Sequence, residues 1–268
     1  MTGNKYGIRT FNAKDCTHPQ EAVAVILNSL GQGTPVLVSN LPNATYHDPA
    51  LGWSSGRVRA RIDTRPKPPW GGAANFGQAA HARMTGIGVA PTVFHAPNWR
   101  RPQDRQARNQ LLRSGGRPLL ISEWKKLGAM HTTFTNNPRV RHLLHSGGKP
   151  LPEISMFWVD YETGLHLKAR PDFLTNTHIL EYKPLPPKTT FQKEADQWGY
   201  WEQAAWYQQG VAAITGTRIP FTFITQHITA PYRIAIHKVS DETIIAASAR
   251  IVEELHKIKR ELTRGAEV

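Results

Sequence analysis

Lys168-Ala169-Arg170-Pro171-Asp172 is followed, after eight residues, by Glu181-Tyr182-Lys183. Leu165 to Leu174 and His178 to Tyr182 read as successive strands. Residues two apart on a strand share a face, so Glu181 and Lys183 point the same way. If the two strands pair as a hairpin, Asp172 comes close to both. Two carboxylates at one point repel unless a cation lies between them, and hard oxygen donors favour Mg²⁺ or Mn²⁺. A lysine beside such a cation can hold or deprotonate an attacking water, or neutralise charge growing on a phosphate. Metal-assisted hydrolysis of a phosphodiester needs these parts. The strings Pro-Asp and Glu-x-Lys are also common, and a turn aspartate beside a surface ion pair satisfies the same spacing.

The surrounding segments supply context. Glu153 to Asp160 reads as the preceding strand, opened by Glu153 and joined to the next by a Glu162-Thr163-Gly164 turn. Phe191 to Ile214 fits one long helix, with Gln203 and Tyr207 at i and i+4 on a shared face. Phe221 to Ile228 and Tyr232 to Val239 are two further strands. Thr243 to Leu262 closes the order as an amphipathic helix with Ile244, Ala247, Ile251, Leu255, Ile258 and Leu262 on one stripe. The order β-β-β-α-β-β-α predicts an α/β fold of the α+β kind, a mixed sheet flanked by helices.

Upstream, Ser122 is expected to cap a helix carrying Trp124, Leu127, Met130 and Phe134, which Pro138 ends. Ala73 to Met84 fits a helix bearing His81, with Gly77 one turn earlier permitting close approach. Thr64 to Gly72 reads as loop because of its prolines and glycines. Ala22 to Leu30 is a short helical pattern and Pro35 to Ser39 a short strand. Pro97 to Arg117 carries Arg100, Arg101, Arg105, Arg108, Arg113 and Arg117 and reads as a solvated helix or loop. No internal repeat stands out.

Composition narrows the class of protein. The chain has 268 residues, and 40% apolar content suffices for a real core. Lys and Arg outnumber acids 33 to 20, a formal charge of +13 that points to a polyanionic partner, most often nucleic acid. A single cysteine, Cys16, excludes an internal disulfide framework, an iron–sulfur cluster and a zinc ribbon. No apolar run approaches the ~18 residues of a membrane span. The start, MTGNKYGIRTF, lacks the apolar region of a signal peptide. A soluble, cytoplasmic protein without membrane partners is expected.

Taken in order, Gly77…His81, Glu153, Pro171-Asp172, Glu181-x-Lys183 and Gln203…Tyr207 resemble the PD-(D/E)XK nucleases. Within them the chain is similar to the branch related to RecB nuclease domains, and most of all to the RecE-type (exonuclease VIII-like) phage and prophage exonucleases. The run from Ile154 to Trp158 through Lys168-Ala169-Arg170-Pro171-Asp172 resembles that family's path into its active site. Tyr46 to Arg59, with Ser54-Ser55, resembles the segment that opens its domains. The resemblance covers about Tyr46 to Leu262, which implies a nuclease domain over 46–268 with a restriction-endonuclease-like core, and leaves residues 1–45 with no assigned role. Two positions depart from the family. Glu181 stands where RecE-like members more often carry Asp, and Pro184 stands where threonine is usual. Pro184 removes a backbone donor and is expected to redirect the strand exit.

The resemblance implies that Asp172, Glu181 and His81 bind a divalent metal, Mg²⁺ with Mn²⁺ substituting, aided by the backbone carbonyl region at Glu181–Tyr182. It implies that Lys183 positions the water, that Glu153 contributes directly or through water, and that Gln203 and Tyr207 orient the lysine or contact DNA. Arg57, Arg59 and Arg61 alternate in a way that could line a DNA groove, as could Arg170 and the cluster from Arg100 and Arg101 onward; an exposed strand or helix edge is the other reading of each. A packed core position is the other reading of His81 and Tyr207, and Trp198, Trp201 and Trp206 read as core rather than as stacking platforms for bases. The implied activity is exonucleolytic hydrolysis of linear double-stranded DNA from its ends, 5′ to 3′. The implied partners are a homo-oligomeric ring, trimer or tetramer, around the duplex, and a single-strand annealing protein. A RecB-like or restriction-type endonuclease with the same metal site, and a non-catalytic DNA-binding module, are the competing readings.

Overall fold

Pro171 interrupts what sequence alone suggests is one strand. In a computed structural model, which describes residues 7–64 and 72–265, the chain leaves one sheet and enters another at Arg170-Pro171-Asp172. A proline cannot donate to a sheet ladder, so the crossing falls where the backbone has least to lose.

The N-terminal third contains β1 (Arg9–Asn12), α1 (Pro19–Gly31), β2 (Val36–Ser39), α2 (Asn43–Tyr46), β3 (Trp53–Ser54) and α3 (Ser55–Ile62). The expected loop at 64–72 falls largely outside the described residues. Then come α4 (Gly72–Thr85), β4 (Pro91–Phe94), α5 (Pro102–Arg113), β5 (Arg117–Leu120), α6 (Ile121–Asn136) and α7 (Pro138–His145). The site-bearing part runs through β6 (Leu151–Pro152), β7 (Ser155–Val159), β8 (His166–Ala169), β9 (Phe173–Leu174) and β10 (Ile179–Leu185). It closes with α8 (Phe191–Trp198), α9 (Tyr200–Thr215), β11 (Phe221–His227), β12 (Ile234–Lys238) and α10 (Asp241–Gly265).

Two five-stranded mixed sheets result, in the orders β1-β2-β7-β8-β3 and β12-β11-β10-β9-β6, with a separate parallel pair of β4 and β5. The mixed sheets flanked by helices match the expected fold class. Residues 9–39 join the first of these sheets, where β2 pairs antiparallel with β7 and α1 packs its Ala22, Ile26 and Leu30 against Val36, Val38 and Phe157.

Strand β10 is covered on both faces. Leu180 and Tyr182 point to α4, α6 and α7, while Ile179 shares a core with Trp206 and Val211 of α9 and Ile251 of α10. The alternation of a strand therefore places Glu181 and Lys183 on the α9 side. Close packing on that side depends on Gly210, where a Cβ would lie 2.7 Å from Trp158.

Several local expectations need correction. The long helix 191–214 is two helices, broken at Gly199, whose φ of 64° is left-handed. Ser122 is not the cap of α6. Glu123 reaches back instead, and its carboxylate accepts the Leu120 N–H at 2.8 Å. Pro138 starts α7, with the Asn137 side chain accepting from the Arg139 and Val140 N–H groups. Leu262 lies beyond the buried stripe of α10 and is exposed. Pro184 does not redirect its strand, since β10 stays paired with β11 through Leu185. Gly77 is not forced by crowding, because a Cβ there would meet Pro184 at an ordinary 3.9 Å.

Candidate active site

The hairpin between β9 and β10 sets the geometry. Its turn is closed by the Thr175 N–H donating to the His178 carbonyl, and the His178 N–H donating to Thr175 Oγ1, both at 2.9 Å. The register Leu174↔Ile179 and Phe173↔Leu180 then places Asp172 opposite Glu181.

Asp172 and Glu181 are each about 5% exposed or less. The Asp172 N–H donates to Glu181 Oε2 at 3.3 Å, and the Tyr182 N–H donates to Asp172 Oδ2 at 2.7 Å. Each carboxylate is thus held by the other's strand. Lys183 Nζ donates to Glu181 Oε1 at 3.0 Å and sits 4.6 Å from the centre of the Tyr200 ring. From α9, Gln203 Nε2 donates to the same Glu181 oxygen at 2.8 Å and to the Tyr207 hydroxyl at 3.2 Å. From α4, His81 Nδ1 lies 3.1–3.2 Å from the two Asp172 oxygens. Its ring packs edge-on against Tyr182, whose hydroxyl donates to Gln226 at 2.7 Å.

Glu153 does not open a strand. It occupies a left-handed turn, φ 49°, between β6 and β7, and its N–H donates to the Asp172 carbonyl at 3.1 Å. A non-glycine residue in that region is strained by about 1–3 kcal/mol, a cost tolerated chiefly where surrounding contacts enforce it.

Electrostatics follow from this crowding. Burial would raise the Asp172 carboxyl, but the adjacent His81 and Lys183 pull it below its usual value. Burial would lower His81, and Asp172 overrides that and raises it, so the two form an ion pair. Glu181 is raised by burial and then by the charge of Asp172. Glu153 is raised to about 8 by burial, with Asp172 the next cause. Burial would lower Lys183, yet Glu181 raises it on balance, which keeps the ammonium protonated. A protonated lysine can orient a water or neutralise a phosphate; it cannot accept the water's proton.

Among the described residues, no three His, Cys, Asp or Glu side chains form a group ready to hold a metal ion. His81 is turned onto Asp172 and Lys183 onto Glu181. The donor chemistry nevertheless fits a hard divalent cation. Asp172 and Glu181 are buried and bonded across one hairpin, with half-buried Glu153 held to the Asp172 carbonyl, and the charge of Asp172 adds to burial in raising Glu181 and Glu153, a cost that such a cation offsets.

The remaining candidates are placed differently. Arg170 lines the same cleft of about 580 Å³ as His81 and Glu153, stacks 4.0 Å over Tyr46, and donates to Ser155 Oγ and the Leu41 carbonyl. Arg57, Arg59 and Arg61 lie on the helix α3. Arg57 stacks 4.1 Å over Trp53, and Arg59 donates to the Trp198 and Gly199 carbonyls. Arg61 pairs with Glu254 and Glu261. Arg100 and Arg101 are exposed just before α5. Trp206 is core, its indole N–H donating to the Lys168 carbonyl at 2.9 Å.

Sequence reasoning missed Tyr200. It stands three residues before Gln203 and seven before Tyr207, the helical spacing that puts all three on one face, so the signal was available. The Tyr182 N–H bond to Asp172 had no signal in side-chain type.

Residues 73–267 match a family described as a PDDEXK-like domain of unknown function (DUF3799). A search of the curated proteins found no match. Among solved structures, one described as a "putative exonuclease" from Eubacterium rectale is similar over 83% of this chain and 87% of its own, with 15% identity and a TM-score of 0.55. An alkaline exonuclease from Laribacter hongkongensis aligns over 73% of this chain and 96% of its own, at 19% identity and a TM-score of 0.27. The first likeness establishes the shared fold, and the matched family spans the elements that carry His81, Asp172, Glu181, Lys183 and Gln203. The chain belongs to this PDDEXK-like family.

Proposed function

We propose that the chain is a divalent-metal-dependent exodeoxyribonuclease that hydrolyses linear double-stranded DNA from its ends, 5′ to 3′, leaving 3′ single-stranded tails for recombination. The convergence of Asp172, Glu181 and Lys183 across one buried hairpin, in a member of a PDDEXK-like family, carries this reading. A mere turn aspartate and a surface ion pair would not be buried together beneath α9.

Asp172 and Glu181, with His81 beside them, would hold the cation, Mg²⁺ or Mn²⁺. A bound divalent cation supplies charge stabilisation at the scissile phosphate and lowers the pKa of a water. Lys183, kept protonated by Glu181 and backed by the Tyr200 ring, neutralises charge on the phosphate and orients the attacking water. Gln203 keeps Glu181 aimed, the Tyr182 N–H keeps Asp172 aimed, and Tyr207 fixes Gln203. In line with the same resemblance, the enzyme acts in the cytoplasm in phage or prophage recombination, as a trimeric or tetrameric ring that hands its product to an annealing protein. None of the described helices is long and apolar enough to cross a membrane.

A linear duplex carrying different fluorophores at its 5′ and 3′ termini tests the polarity. Early release of the 5′ label as short products is expected, and early release of the 3′ label reverses the assignment. Light scattering tests the ring: a mass of 30.0 kDa, unchanged by duplex, refutes it.

A further inference from the structure

The unit β4–α5–β5 stands apart from both large sheets. Among the described residues its two strands pair only with each other, in parallel, and α5 connects them. A helix that crosses over between parallel strands usually buries an apolar face. None of the residues of α5 is buried. Its outward face is Pro102, Arg105, Gln106, Asn109, Gln110 and Arg113, all of them cationic or amide-bearing after the first proline. Arg100 and Arg101 precede it, both exposed.

A solvated helix ordinarily mixes charge signs, because like charges three or four residues apart destabilise it by a few tenths of a kcal/mol per pair. Here Arg101, Arg105 and Arg108 are spaced in that way, and the one acid between Pro97 and Arg117 is Asp104. One oxygen of that carboxylate is buried, so it adds little to the outer face. Among the described residues, Arg100, Arg101, Arg105 and Arg113 make no ion pair, in contrast to Arg61 and Arg250. The cationic face is also held in place. Arg108 packs over Trp99, and Trp99 meets Phe94 of β4 edge-on at 5.2 Å. Finally, Arg117 at the start of β5 lines the cleft that contains His81 and Glu153, so the unit is rooted at the mouth of the candidate site.

Resting on the nuclease reading above, we propose that β4–α5–β5 is an arm that grips the phosphate backbone of duplex DNA outside the cut, through Arg100, Arg101, Arg105 and Arg113. The arm contributes affinity and no chemistry. The amides of Gln106, Asn109 and Gln110 add neutral donors along the same face.

The test is binding of a labelled linear duplex in the presence of chelator, measured across a salt series by fluorescence anisotropy. The wild type is compared with the combined variant Arg100→Gln, Arg101→Gln, Arg105→Gln, Arg113→Gln. A second variant of equal charge change, Lys238→Gln, Lys259→Gln, Arg260→Gln, Arg264→Gln, neutralises exposed cations elsewhere. Each phosphate contact contributes about 0.9 to the slope of log affinity against log salt. The arm variant is expected to lose roughly 2–4 units of slope, with melting temperature unchanged. An unaltered slope, an equal loss in the second variant, or a wild type that does not bind duplex would overturn the arm. A wild type that binds with the expected slope, loses it in the arm variant, yet hydrolyses nothing in Mg²⁺ or Mn²⁺, leaves the arm standing and removes the nuclease reading.

Discussion

The Lys183 ammonium donates to Glu181 Oε1 at 3.0 Å, two residues along the same strand, with the Glu181 carboxylate buried and the lysine half-buried on the α9 side. The pair is built into the hairpin, and it leaves the lysine charged. Lys183→Ala is expected to reduce hydrolysis below a few per cent while duplex affinity stays near wild type, because the proposed grip lies elsewhere. Glu181 keeps its bond from Gln203, so the stability loss should be about 1–3 kcal/mol. Single-turnover kinetics and anisotropy on the same preparation check this. Substantial residual turnover would remove Lys183 from the chemistry.

Tyr200 presents its ring face to Lys183 at 4.6 Å. A cation over an aromatic face is worth about 0.5–2 kcal/mol, so Tyr200→Leu should lower turnover roughly 3- to 30-fold. Tyr200→Phe keeps the ring and should retain the rate. Equal losses in both variants would mean that the hydroxyl, not the face, matters.

Gln203 and Tyr207 separate positioning from packing. Gln203→Ala should lower turnover with little change in melting temperature, since what it loses is the bond to Glu181. Tyr207 packs against Phe221 in the core, so Tyr207→Ala leaves a cavity costing about 3–5 kcal/mol. Tyr207→Phe should keep the fold and lose activity only modestly. If Gln203→Ala lost activity only in proportion to lost folding, its role would be packing.

How much of this was legible in the sequence depended on range. Glu181 and Lys183 share a face because strand periodicity requires it, and Gln203 and Tyr207 because helix periodicity does. Asp172 joined them through a short turn, whose register the Thr175-to-His178 bonds enforce. His81 was readable only through its companions, since one histidine on a helix has no distinctive pattern. What the sequence left unread was non-local. Nothing near Arg59 or Arg61 announces that Trp198, Gly199, Glu254 and Glu261 will occupy them. Nothing in residues 1–45 announces that β2 will pair with β7, more than a hundred positions on. The change of sheet at Pro171 and the break at Gly199 each rest on one residue inside a stretch that otherwise reads as one strand or one helix.

Lys168 gives a pH test away from the candidate metal ligands. Its side chain is buried, donates to the Asp48 carbonyl at 2.8 Å, and has its pKa lowered to about 8, chiefly by burial and then by Arg57. Between about 8 and the ordinary 10.5, the unfolded chain holds a proton that the folded chain has lost, so this group makes stability rise with pH there. Below 8 the full cost of burying the charge is present. The stability of Lys168→Met relative to wild type should therefore decline by about 1–3 kcal/mol as pH rises through that window. Denaturant melts at several pH values measure it. A difference independent of pH would mean that Lys168 is neutral or unshifted in the fold.

The most direct measurement is digestion of linear and covalently closed circular duplex of the same sequence, with Mg²⁺, with Mn²⁺ and with chelator, using wild type and Asp172→Asn. The expected result is progressive loss of the linear duplex in either metal, an intact circle, and no reaction with chelator or with Asp172→Asn. Cutting of the circle would make the enzyme an endonuclease. An intact linear duplex in both metals would contradict the nuclease assignment itself.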